Sequence, residues 1–199
     1  MDIWKHSELS AVKFGGAPED YFEVHKFLDS SKLFFFNIKH RALLHHTFGI
    51  SLCIMALGDL VSNSDGQKIL VRDIASEHLK EDLNGQVPTL ADWFTQANEP
   101  ISPTLKQALA IGDSRLRDFV LKPYLDSGIE NTLMITFSDF GVSLVERFLG
   151  TETALALRHH LPAQHTVKSM LRKFPFTERW QYSPDMSQMQ LLTNRSHES

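Results

Sequence analysis

Cysteine occurs once in the 199 residues. A lone Cys53 excludes an internal disulfide and any cysteine-based zinc site, and its apolar neighbours suit a thiol that behaves as a small hydrophobe. A basic excess is missing too. Twenty Lys and Arg stand against 24 Asp and Glu, a formal net charge of −4, which argues against a dedicated nucleic-acid coat. Nor is there a long apolar run: residues 50–57 fall far short of the roughly 20 needed to span a bilayer. The N-terminus has an early acid, Asp2, and no apolar segment before a small-residue cleavage site, so no secretory signal is read and a cytoplasmic location is expected. What remains is ordinary globular composition, 42% hydrophobic and 22% charged, enough for one good core or two small ones sharing an interface.

Histidine is plentiful: there are ten, six of them before residue 98. Three, with an arginine, fall in the otherwise apolar stretch His40-Arg41-Ala42-Leu43-Leu44-His45-His46. Titratable groups in such a place mark where a metal or a reaction would sit.

The local signals are mainly helical, with one hairpin. Gly15-Gly16 is a turn, and Pro18 with Glu19 and Asp20 opens a helix over residues 18–33. Phe34-Phe35-Phe36-Asn37 either continues that helix or carries a bend, and Asn37 favours the bend. A second helix over 38–57 ends at Gly58. Asp65-Gly66 joins two short strands, 60–61 and 68–71. Asp73 caps a third helix, 74–83, and Pro88-Thr89 opens a short one that buries Leu90, Trp93 and Phe94. Two prolines within residues 98–103 mark a boundary between a His-rich helical domain, 1–98, and a helical C-terminal region, 99–199, which could pack with it as one unit. Helices are expected there over 104–111, 114–126, 139–149, 152–161 and 164–173, whereas 132–137 could be helix or strand. The polar stretch from Tyr182 onward is expected to fray. No internal repeat is evident. The expected class is mainly α, a helical bundle with a small β-hairpin in its N-terminal half.

If the first two helices form an antiparallel hairpin bending at Asn37, His25 and His46 face each other with an axial offset of only a few Å. Asp29, one turn after His25, is placed to orient an imidazole. The third helix adds His78, with Glu81 and Asp82 on its face. Imidazoles and carboxylates from separate helices are how bundles build divalent-metal sites. The expected ligands are therefore His25, His46, His78 and one of Glu81 or Asp82, for Zn, Mn, Fe or Ni. His45, about 100° from His46 on a helix, is expected at the edge of the site or in solvent. His40 and Arg41 at the mouth could hold an anionic group such as a phosphate, which gives a catalytic reading: metal-activated water, with Arg41 taking charge that develops on the substrate. The competing reading makes these histidines hydrogen-bonded core or capping residues of a non-enzymatic interaction protein.

The chain resembles an uncharacterised family of small bacterial and phage proteins known only as a domain of unknown function. The resemblance rests on Lys13-Phe14-Gly15-Gly16-Ala17-Pro18-Glu19-Asp20-Tyr21, on His25, Asp29 and Lys32, on His40-Arg41-Ala42-Leu43 through His45-His46, and on Gly49-Ile50. It continues through Val71-Arg72-Asp73-Ile74, Glu77-His78, Glu81-Asp82-Leu83, Val87-Pro88-Thr89 and Asp92-Trp93, covers roughly residues 5–98, and implies no activity. Ala42-Leu43-Leu44-His45-His46 is also similar to the metal-binding helix of HD phosphohydrolases, with histidine where those enzymes carry the aspartate. In the second half, Arg158, Lys168, Arg172 and Lys173 lie in a stretch without acids that could touch phosphates of RNA or DNA, or be a solvated helix face. Phe174, Phe176 and Trp180 are read as docking aromatics.

Overall fold

Caps and glycine stops set the helix ends in this computed structural model, which describes residues 2–95, 97, 100–163 and 165–175. Phe176, Trp180 and the stretch from Tyr182 onward lie outside the described residues. The segment before Gly15 is itself a helix, α1 (Ile3–Phe14): the Asp2 side chain accepts from the Lys5 N–H at 2.9 Å, and Gly15, at φ 79°, ends it. A 3-10 turn, Pro18–Tyr21, leads into α2 (Phe22–Asp29), and another, Ser30–Leu33, prolongs it.

The helix expected over 38–57 is broken. Asn37 caps a 3-10 turn, Ile38–His40, which runs into α3 (Arg41–Leu44). The chain then kinks at His45 (φ −88°, ψ 62°), and His46, extended, caps α4 (Thr47–Leu57). Strands β1 (Leu60–Ser62) and β2 (Lys68–Leu70) pair antiparallel, Val61 opposite Ile69. Their turn is clamped to the corner after α1: Gly16 N–H donates to Asp65 at 2.6 Å, Ser64 N–H to Asp20 at 2.9 Å, and the Asn63 amide to the Phe14 carbonyl at 3.1 Å. This packing supplies what a two-stranded ribbon lacks alone. Helix α5 (Val71–Asp82) follows directly, and α6 (Leu90–Phe94) starts at a Thr89/Asp92 capping box.

The second half holds α7 (Leu105–Leu109), α8 (Ser114–Ser127), α9 (Leu133–Thr136), α10 (Asp139–Leu149), α11 (Thr151–His160) and α12 (Val167–Lys173). Residues 133–136 are thus helical, not strand. The protein is mainly helical, with one small antiparallel sheet in its N-terminal half. Among the described residues no helix is long and apolar enough to cross a membrane.

The structure also exposes a repeat that inspection of the sequence misses. Phe48-Gly49-Ile50-Ser51-Leu52, ending at Leu57-Gly58, corresponds to Phe140-Gly141-Val142-Ser143-Leu144, ending at Leu149-Gly150. Helix α9, a kink at Phe137 (φ −112°, ψ 60°) and an extended capping Ser138 reproduce α3, His45 and His46. His46 Nδ1 accepts from Gly49 N–H at 3.0 Å, and Ser138 Oγ accepts from Gly141 N–H at 3.1 Å. In both copies a Cβ on the glycine would strike the last carbonyl of the preceding helix, that of Leu44 or Thr136. Only a glycine lets the two helices close so tightly. Short sequence and mostly non-identical flanks hide the unit until the backbone angles are compared.

One core cluster joins Tyr21, Leu43, Ile50, Cys53, Ile74 and Trp93 with Phe140, Met170 and Phe174 of the second half. Another fills the space between α7, α8, α9, α10 and α11, where Phe137 is fully buried.

Candidate metal centre

Three helices each offer a pair of polar side chains one turn apart on a buried face. These are His6 and Ser10 of α1, His25 and Asp29 of α2, and His78 and Asp82 of α5. The kink between α3 and α4 adds His45, whose carbonyl accepts from the Trp93 indole at 2.9 Å and is thereby held in place. His6, His25, His45, His78 and Asp82 have no solvent exposure and Asp29 has 3%.

Two groups of ligand-type atoms form within this cluster, each with all members inside 4.8 Å of one another: Asp29, His45, His78 and Asp82, and His6, His25 and His78. In the first, His45 Nε2 lies 3.1 Å from Asp82 Oδ2, 3.8 Å from Asp29 Oδ1 and 3.2 Å from His78 Nε2. His78 Nε2 lies 3.8 Å from Asp29 Oδ1 and 4.0 Å from Asp82 Oδ2. Tetrahedral ligands held at bonds of about 2.0–2.2 Å sit roughly 3.3–3.6 Å apart, so these spacings bracket the need of one ion. Asp29 Oδ1 has no hydrogen-bond partner although it is buried, a costly state unless something else takes its charge. Its other oxygen accepts from Lys32 at 2.6 Å. Arg41 similarly takes the other side of Asp82, at 2.9 Å from Oδ1 and 3.0 Å from the Asp82 carbonyl.

Electrostatics suit a cation. Burial, reinforced by the nearby His6, depresses His25 to about 3, and burial with the neighbouring imidazoles holds His78 well below its usual range. His45 is also lowered, chiefly by burial. These rings are neutral at pH 7, the form that binds metal. Burial alone would raise the Asp82 carboxyl, but the neighbouring His45, His6 and His78 outweigh it and keep Asp82 ionised.

The remaining expected residues are placed as follows. His46 does not reach the cluster. The kink turns it to cap α4, where its Nδ1 accepts from Gly49 and its Nε2–H donates to the Ala42 carbonyl at 3.2 Å, so both ring nitrogens are spent on backbone. His45, expected at the edge or in solvent, is buried within the ligand group instead, and Asp29, expected to orient an imidazole, is itself one of that group. Glu81 contacts His6 Nδ1 at 2.5 Å and stands outside both ligand groups. His40 accepts or donates to Ser31 Oγ at 2.8 Å and has its pKa depressed to about 2, first by burial and then by His45. With Arg41, Lys32, Phe36, Asn37 and Ile38 it lines a pocket of about 280 Å³ that opens to solvent, and of these Lys32 and Arg41 reach Asp29 and Asp82. Arg158, Lys168, Arg172 and Lys173 are exposed, far from this cluster in sequence.

His6 is the site residue that sequence reasoning leaves out. Its signal is present: Asp2 as cap, Gly15 as stop, and His6 and Ser10 one turn apart on the face of that helix.

A family model described as a domain of unknown function, DUF6915, matches residues 1–102 and so includes every residue of the cluster and the pocket. No curated protein and no solved structure matches the chain.

Proposed function

We propose that this chain, which belongs to the family of unknown function DUF6915, holds a divalent metal ion between Asp29, His45, His78 and Asp82 and uses it to hydrolyse a phosphoester. The observation that carries the reading is the convergence of four buried ligand atoms from three separate parts of the chain, one of them, Asp29 Oδ1, without any other partner. A nitrogen and carboxylate set of this kind suits Zn, Mn, Fe or Ni. Lys32 and Arg41 hold the outer oxygens of the two carboxylates, which is how a surrounding shell orients ligands. The ion would lower the pKa of a bound water and supply the nucleophile. The pocket of Lys32, His40 and Arg41 would seat the anionic group next to it, with the Arg41 Nε, buried and unpartnered, available to an entering oxygen.

A second reading, an ion that only braces a non-enzymatic domain, is favoured by one observation: the four ligands have 0–3% exposure, and closed four-ligand sites are typically structural.

The deciding experiment combines metal analysis of untagged protein with a panel of mono- and diester nitrophenyl phosphates. The hydrolase reading expects bound metal that is lost in Asp29→Asn and His78→Ala, and metal-dependent turnover whose KM rises at least tenfold in Arg41→Ala. Bound metal with no turnover on any ester would move the site to the structural reading. Protein that stays metal-free after reconstitution would end both.

A further inference from the structure

His78 belongs to both ligand groups, and it meets them with different nitrogens. Its Nε2 faces His45, Asp29 and Asp82, whereas its Nδ1 lies 3.0 Å from His25 Nδ1. The other two rings of the second group are set up in the same manner as each other. His25 is held through Nε2 by Ser10 Oγ at 2.9 Å, and His6 through Nδ1 by Glu81 Oε2 at 2.5 Å. With the proton of each ring on the outer nitrogen, toward Ser10 or Glu81, the inner nitrogen presents its lone pair, the arrangement that outer hydrogen bonds impose on metal-ligating histidines. His6 Nε2, the inner nitrogen, is fully buried and makes no hydrogen bond, lying 3.5 Å from Asp82 Oδ1. In a protein interior a polar atom is rarely left without a partner.

We propose that His6, His25 and His78 hold a second divalent ion, and that His78 bridges the two ions through both ring nitrogens as an imidazolate. The bridge rests on the first ion proposed above; the three-histidine site does not. On double loading His78 gives up its single ring proton to solvent, while His6 and His25 keep theirs on Glu81 and Ser10. With metal–nitrogen bonds of about 2 Å on either side of the ring, the ions stand roughly 6 Å apart. Three histidine ligands leave coordination positions open, as in catalytic three-histidine sites.

The test is Zn(II) stoichiometry of untagged, reconstituted protein by mass spectrometry, with His6→Ala and Asp29→Asn as variants and circular dichroism to verify their helix content. The proposal expects two equivalents in the wild type and one in each variant. Copper(II)-loaded wild type needs no substitution and is expected to lose most of its paramagnetic signal through coupling across the bridge, and to regain a single-ion spectrum in His6→Ala. One equivalent in the wild type that His6→Ala retains and Asp29→Asn loses would overturn the second site and leave the first reading standing. Two equivalents kept by His6→Ala, or two uncoupled copper signals, would also overturn it. Wild type without metal would overturn both.

Discussion

At the residue scale, burial decides what each polar group can do. Arg41 is nearly buried and ties together the side chain and carbonyl of Asp82. Removing one partner of a buried pair leaves a charge without compensation and costs about 3–5 kcal/mol. Arg41→Ala is therefore expected to lower stability by that order in urea unfolding of metal-free protein, and an unchanged midpoint would show that the pair contributes little. Cys53 presents the converse case. Burial pushes its thiol up to about 12, so it stays neutral and shielded in the fold. An unfolded thiol ionises near 8.5, so this thiol's contribution to stability is complete below that pH and is lost as pH rises towards 12, by about 1.4 kcal/mol per unit. A thiol reagent at pH 8 should label Cys53 only as urea unfolds the chain. Rapid labelling of native protein would contradict this placement.

At the scale of elements, the repeated kink is the device that builds the site. In one copy the kink residue is His45, which enters the ligand group, and in the other it is Phe137, which enters an apolar core. Gly49 and Gly141 permit the close approach in each. A helical Gly→Ala exchange ordinarily stabilises by about 1 kcal/mol. Here the added methyl meets a backbone carbonyl, so Gly49→Ala and Gly141→Ala are both expected to destabilise, by roughly 1–3 kcal/mol or more. The two variants should part in a metal titration, since only Gly49→Ala displaces His45. Equal loss of metal affinity in both would mean that the kink acts through global stability alone.

For the whole molecule, contacts between the two halves govern how it unfolds. The core cluster runs from Tyr21 to Phe174, Phe34 meets Phe140 edge-on at 5.3 Å, and Lys39 Nζ donates to the Phe174 carbonyl at 2.6 Å. We expect residues 1–98 and 99–199 to unfold as one unit. Fluorescence of Trp93, buried in the first half, and far-ultraviolet circular dichroism should then trace a single urea transition. Two separated transitions would instead assign the halves to independent domains. A chain cut after residue 102, where the family match ends, would expose the faces that Phe140, Met170 and Phe174 cover, and is expected to be markedly less stable.

Sequence alone determined what local chemistry determines. Asn37, Thr89 with Asp92, and the glycines at 58 and 150 set helix ends; Asp65-Gly66 set the hairpin; and spacing of one turn put His78 and Asp82 on one face of α5. These depend on contacts within a few residues, which a sequence displays. Tertiary structure decided which histidine turns inward. A continuous helix would aim His46 at the cluster, but the packing of Leu44 against Gly49 breaks the helix and exchanges His46 for His45. It also brought in His6, whose contact with Glu81 spans 75 positions. No periodicity within α1 could reveal a partner so distant, because that pairing exists only once the helices have packed.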